Sequence, residues 1–181
     1  MSTPRGCGII GAMNSLALVL GSAIGVAGAC AALESLHVTA TKAKAFEEAK
    51  RLSNGKGIIN LGAGPHRTYQ GKVIADAPQV LSNIDLVPNG VPHYLQLDLE
   101  ASTLPFVNKQ FGCAFVSHVL EHLDNWQFAL AEMRRVADHV VVVLPDPLYF
   151  YTWLSPEHRQ YFSREEINEM VELYPNVEVY Y

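Results

Sequence analysis

The sequence predicts an α/β fold built on a doubly wound, mostly parallel sheet and preceded by one N-terminal transmembrane helix. Three observations predict it. Short apolar runs of β type alternate with helical patterns from about residue 56 onward, which implies parallel strands joined by crossover helices. One of these runs, Val140-Val-Val-Val-Leu144, is apolar at every position, as expected of a central strand covered on both faces. Ahead of them no charged residue occurs between Arg5 and Glu34, a run longer than the roughly 20 residues that cross a bilayer.

The uncharged run makes residues 1–36 a membrane anchor, and residues 37–55 a linker helix with Phe46, Ala49 and Leu52 near one face before the stop at Ser53-Asn-Gly55. A secretory signal peptide, with Ala27-Gly-Ala29 as cleavage site, and a buried Gly- and Ala-rich core helix are the competing readings of the same run. Arg5 stands alone before the run, whereas Lys42, Lys44, Lys50 and Arg51 follow it. The positive-inside rule then turns the rest of the chain toward the cytoplasm. Gly21, Gly25 and Ala29 recur at four-residue spacing, a small-residue stripe on which a second copy of the helix can pack as a homodimer.

Residues 56–181 form the single globular domain, since 181 residues of which 49% are hydrophobic supply one core and not two. Its expected strands are Gly57–Leu61, Asn83–Val87, Tyr94–Leu97, Cys113–Ser117, Val140–Leu144 and, after Pro175 breaks the last helix, Asn176–Tyr181. Two helices have explicit starts. Asp124 with Gln127 resembles a capping box, and Ser163-Arg-Glu-Glu166 is one, followed by Ile167, Met170, Val171 and Tyr174 at helical spacing. A net charge of −5 with no basic stripe argues against a nucleic-acid partner. Three widely spaced cysteines argue against a disulfide framework or a zinc ribbon.

The chemistry-bearing residues lie at the predicted strand ends. Gly62 and Gly64 follow the first strand, where the absence of Cβ permits a sharp turn and close approach to a ligand. Arg67 stands where a dinucleotide fingerprint needs its third glycine, which removes the best evidence for hydride transfer. Asp85 lies 21 residues beyond Gly64, the position from which an acidic side chain accepts hydrogen bonds from ribose hydroxyls. Asp98, in Leu97-Asp-Leu99, occupies the equivalent place after the third strand.

In this order the motifs Ile59-Asn-Leu-Gly-Ala-Gly64, Asn83-Ile-Asp85, Leu97-Asp-Leu99, Leu104-Pro-Phe106, Phe111 to Leu123 and Arg134-Arg-Val136 resemble class I S-adenosylmethionine-dependent methyltransferases of the type-11 group. The resemblance covers about residues 56–170, and Pro156-Glu-His-Arg-Gln-Tyr-Phe-Ser163 looks like the group's later substrate-side segment. It implies a Rossmann-like domain that binds S-adenosylmethionine and methylates a small-molecule or lipid-like acceptor at the membrane. The implied cofactor residues are Asn60, Gly62, Ala63, Gly64, Asp85, Leu86, Asp98, Leu99, Ser117 and His118. Gly62 and Gly64 would meet the methionine part, Asp85 the ribose and Asp98 the adenine amine. His118 and His122 are candidate bases for an acceptor hydroxyl. Tyr149, Tyr151, Trp153 and Tyr161 are candidates for an acceptor wall or a membrane-interface cluster.

Asn60 replaces a usual acidic residue and His66 a usual glycine, which keeps a non-catalytic scaffold of the same fold as the alternative. His118-Val-Leu-Glu-His122 also matches the H-x-x-E-H pattern of inverted zinc peptidases. Those need the motif inside a helix, whereas here it follows a strand directly, so no metal is expected.

Overall fold

The computed structural model describes residues 7–64, 74, 77–87 and 91–181, without the side chains of 7–28, 31, 150 and 151. The chain divides into two compact units, Met1–His37 and Val38–Tyr181. The first helix, α1, runs Cys7–Ser53, so the expected linker helix is the last part of a longer helix rather than an element of its own. The transmembrane helix expected in residues 1–36 falls mostly on residues whose side chains lie outside the description. Among the described residues no helix is long and apolar enough to cross a membrane.

The second unit is an α/β domain with six strands: β1 Ile58–Leu61, β2 Val80–Asp85, β3 Tyr94–Gln96, β4 Phe111–Ser117, β5 Ala137–Val143 and β6 Val177–Tyr180. Their order is β3-β2-β1-β4-β5-β6, and every neighbouring pair is parallel. This order reverses direction between β1 and β4, the switch point that opens a crevice outside the strands' carboxyl ends in doubly wound sheets. The helices after β4 are the short 3₁₀ turn Leu120–His122, α2 Trp126–Val136, α3 Phe150–Leu154 and α4 Arg164–Leu173.

Alternation along the strands divides the core. Ile59, Leu61, Ala114, Val116, Val140 and Val142 face Leu130 and Met133 of α2 and Ile167 and Met170 of α4. Ile58, Cys113, Phe115, Val141 and Val143 face Ala45, Phe46 and Ala49 of α1. Both faces of β4 and β5 are therefore covered, which is why their sequences lack the polar alternation of a half-exposed strand. Phe46 packs edge-on against Phe115 with ring centroids 5.3 Å apart. The end of α1 lies so close to β4 that a Cβ at Gly112 would sit 1.9 Å from the Ser53 carbonyl oxygen.

Several boundaries differ from expectation for identifiable reasons. β2 begins at Val80 and ends at Asp85, because the Asp85 carboxylate accepts from Val87 N at 3.0 Å and turns Leu86 and Val87 out of the sheet. β5 begins at Ala137, directly after α2, and so precedes the apolar run by three residues. The Asp124 capping box does not form. Asn125 is the N-cap of α2 and makes no side-chain cap, while Asp124 is exposed and pairs with Arg159. A distant carboxylate instead fixes the approach to the helix: Glu100 Oε1 accepts from Asp124 N and, at 3.0 Å, from Asn125 N. The Ser163 capping box forms as expected, with Ser163 N donating to Glu166 Oε2 at 2.8 Å and Glu166 N to Ser163 Oγ at 3.2 Å.

Two of the motif segments meet in space. Arg135 on α2 donates to Leu104 O and Phe106 O, each at 2.8 Å, and Glu132 accepts from Leu104 N at 2.8 Å. Arg135 and Glu132 are themselves paired at 2.7 Å. The Leu104-Pro-Phe106 turn is thus held by the helix that carries Arg134-Arg-Val136, and the two segments make one structural unit.

Candidate functional site

At the carboxyl ends of β1 to β4 lies a cleft of about 580 Å³, within the roughly 300–1,000 Å³ of small-molecule sites. Gly62 and Gly64 form its glycine wall, with φ of +68° and +70°. The loop is tied to β2, because Ile84 O accepts from Gly62 N at 2.8 Å and from Ala63 N at 3.1 Å. Gly62 is required sterically as well as conformationally, since a Cβ there would lie 2.0 Å from Val119 Cγ2. The glycine loop is therefore shaped by the loop after β4 packed on it.

Asp85 faces the cleft from the end of β2. Its Oδ2 accepts from Gly64 N at 2.8 Å and its Oδ1 from Val87 N at 3.0 Å. A carboxylate has about four acceptor sites, so these bonds pin the glycine loop and leave capacity toward a ligand. Leu86, exposed, continues the same wall. Asp98 and Leu99 line the far end, and Asp98 Oδ1 accepts from Glu100 N at 2.9 Å.

His118 and His122 line the opposite side. His118 holds φ of +55°, a left-handed conformation uncommon for a residue with a Cβ, and its N–H donates to Val143 O at 2.9 Å. Because of that turn the H-x-x-E-H segment is not a helix. Only Leu120–His122 coils, as a 3₁₀ turn, so the two histidines do not stack on one helical face as the peptidase pattern requires.

Three of the expected cofactor residues do not line the cleft. Asn60 is 4% exposed and donates its Nδ2 to Asn83 Oδ1 at 2.8 Å, while Asn83 Nδ2 donates to Pro92 O at 2.8 Å. This amide chain needs a donor at position 60, which an ionised acidic side chain does not supply. The departure at Asn60 is thereby built into the β1–β2 packing. Ala63 is buried with Val91 against Tyr94. Ser117 is buried, and its Oγ makes no hydrogen bond. His66 lies outside the described residues.

Two further residues, Glu121 and His158, belong to the site, although in the sequence they stand out only as members of the H-x-x-E-H motif and of the Pro156–Ser163 segment. Glu121 is 1% exposed, and neither carboxylate oxygen has a hydrogen-bond partner. His118 Nδ1 stands 3.4 Å and His122 Nε2 3.9 Å from its Oε1. Lys42 of α1 faces it electrostatically; burial pulls this lysine below its ordinary pKa and the Glu121 charge opposes the shift. The backbone of Glu121 organises the site too. Its carbonyl accepts from Arg159 N at 2.7 Å and Gln160 N at 2.9 Å, which docks the Pro156–Ser163 segment beside the 3₁₀ turn.

Residues 72–140 match the family model described as a methyltransferase domain, of type 11, from the β1–β2 connection into β5. The match is consistent with a class I S-adenosylmethionine-dependent methyltransferase domain, a family whose members generally bind S-adenosylmethionine. No curated protein and no solved structure matches the chain. The chemistry of the cleft suits such a cofactor: a glycine wall without Cβ atoms, a carboxylate at the end of β2 and a second beyond β3.

Proposed function

We propose that the chain is an S-adenosylmethionine-dependent methyltransferase acting on a small-molecule or lipid-like acceptor at a membrane. The observation that carries this reading is the convergence of Gly62, Gly64, Asp85, Asp98 and His118 on one cleft at the switch point of the sheet. When bound, the cofactor supplies an electrophilic methyl group for direct displacement. The protein's part is to align the acceptor and exclude water. Gly62 and Gly64 give close access, Asp85 and Asp98 accept hydrogen bonds from the nucleoside, and His118 or His122 takes the proton of an acceptor hydroxyl.

The apolar acceptor and the membrane are supported by the surface after β5. Leu148, Trp153 and Leu154 are exposed. Trp153 stacks on Tyr161 with ring centroids 5.1 Å apart and donates Nε1 to Pro147 O at 2.9 Å. Tyr151 lies outside the described side chains. Amphipathic rings of this kind suit an apolar ligand or the membrane interface. The uncharged run between Arg5 and Glu34 supplies the anchor in this reading, with the domain in the cytoplasm and a helix-mediated homodimer through Gly21, Gly25 and Ala29.

Cys113 is unsuited to reporting that topology, because burial pushes its thiol up to about 12. In a Cys7→Ser, Cys30→Ser background, an exposed cysteine introduced as Glu172→Cys should resist impermeant thiol reagents in intact cells and react after lysis. Labelling of that cysteine from outside would overturn the orientation. A non-catalytic scaffold is the second reading, favoured by the commitment of Asn60 to Asn83. Transfer of labelled methyl from S-adenosylmethionine to a membrane extract separates the two: transfer abolished by Asp85→Ala supports the enzyme, and binding without transfer supports the scaffold.

A further inference from the structure

Beside the cleft, Glu121, His122 and His158 bring one ligand atom each to within 4.8 Å of one another. Among the described residues this is the one such grouping of three metal-ligating side chains. The two rings meet edge to face, 5.0 Å between centroids. Each is oriented by a backbone carbonyl: His122 Nδ1 lies 2.9 Å from Glu157 O and His158 Nδ1 2.9 Å from Thr152 O. A carbonyl oxygen only accepts, so both Nδ1 atoms carry a proton, and Nε2 is the ring nitrogen each histidine has left for a metal ion. Carbonyl bonds of this kind set the tautomer and direction of metal-binding histidines.

The cluster also holds a buried carboxylate that lacks a donor. His122 Nε2 stands 3.9 Å from Glu121 Oε1, too far for a hydrogen bond. The carboxylate is 1% exposed with both oxygens unpartnered, an arrangement costly for a charged group away from water. His118 Nδ1 stands 3.4 Å away and Lys42 faces the carboxylate electrostatically, and neither donates a hydrogen bond to these oxygens. We propose that Glu121, His122 and His158 form a three-ligand site for a divalent ion of the zinc class.

Two imidazoles and one carboxylate with a fourth position open are a zinc donor set, and they disfavour magnesium or calcium, which take mostly oxygen ligands. Assembly of the site follows from the docking of the Pro156–Ser163 segment on the Glu121 carbonyl, which brings His158 to a pair of residues adjacent in sequence. It differs from the peptidase pattern, since His118 is replaced by His158. His122 also lines the cleft, so the ion would sit on its wall and polarise an acceptor hydroxyl or thiol. That last role rests on the methyltransferase reading, in which His118 is then the base because Nε2 of His122 holds the ion; ion binding does not rest on it.

The test is a titration of the untagged full chain in detergent with Zn²⁺ against a chromophoric chelator, without S-adenosylmethionine. One equivalent should bind, Mg²⁺ should not compete, and His158→Ala and Glu121→Gln should each weaken binding about 100-fold or more. His139→Gln, outside the cluster, should leave it unchanged. Absence of stoichiometric Zn²⁺ binding, or binding unaffected by His158→Ala, would overturn the site. Should the variants fail to fold, the Co²⁺-loaded wild-type chain decides. It should show two paramagnetically shifted imidazole N–H resonances, one for each carbonyl-bound Nδ1, and any other number contradicts the assignment. Failure of the cofactor reading would appear separately, as loss of S-adenosylmethionine binding with Zn²⁺ binding intact.

Discussion

Substitution Gly62→Ala tests the account of the glycine loop in detail. At φ of +68° an L-residue is strained by about 1–2 kcal/mol. The new Cβ would also lie 2.0 Å from Val119 Cγ2, and forcing extra volume into a packed site costs about 1–3 kcal/mol. The combined loss of about 2–5 kcal/mol should be read by thermal unfolding of the full chain in detergent, where each kcal/mol lowers Tm by about 2–4 °C. Val119→Ala alone should cost about 1 kcal/mol. In the double variant the steric part is relieved while the backbone part remains, so a coupling of about 1–3 kcal/mol should appear. Gly62→Ala within about 0.5 kcal/mol of wild type, or the two substitutions acting additively, would refute the packing described for this loop.

Other outcomes follow from the same geometry. Arg135→Met removes the donors to Leu104 O and Phe106 O and should cost about 2–4 kcal/mol. The hydrogen bond from Arg135 also holds the Glu132 carboxyl below its ordinary value of 4.5. Its stabilising contribution is therefore full above that value and lost as pH falls through the depressed one. Unfolding of Arg135→Met should consequently be less sensitive to acid than wild type; an unchanged acid limb would contradict the pairing. At His118, whose φ is +55°, asparagine should be tolerated within about 0.5 kcal/mol. A β-branched valine should cost more than about 1 kcal/mol. Equal stability of the two variants would argue against the left-handed turn.

How far the sequence carried the reading depends on whether the signal was local. The parallel sheet was visible because β4 and β5 are buried on both faces and so lose polar alternation. The Ser163 cap was visible because its partner, Glu166, is three residues away. The Asp124 capping box is absent because Glu100 holds the backbone of the two residues that precede α2, a contact that no local pattern connects to Asp124. Asp85 and the glycines were found from strand-end spacing, although their mutual hydrogen bond was not.

Asn60 shows the limit of a family motif. Its position matches the motif, yet its amide turns to Asn83 instead of the cleft. Glu121 and His158 share no local pattern, since 36 residues lie between them in the chain. Only the docking of the Pro156–Ser163 segment on a backbone carbonyl brings them together.

The central claim is that the cleft at the carboxyl ends of β1 to β4 binds S-adenosylmethionine. Isothermal titration of the full chain in detergent tests it most directly. Saturable binding of one equivalent, weakened by Asp85→Ala by about tenfold to a hundredfold as charge-assisted hydrogen bonds are lost, is the predicted result. No detectable binding, or equal affinity in Asp85→Ala, would contradict it.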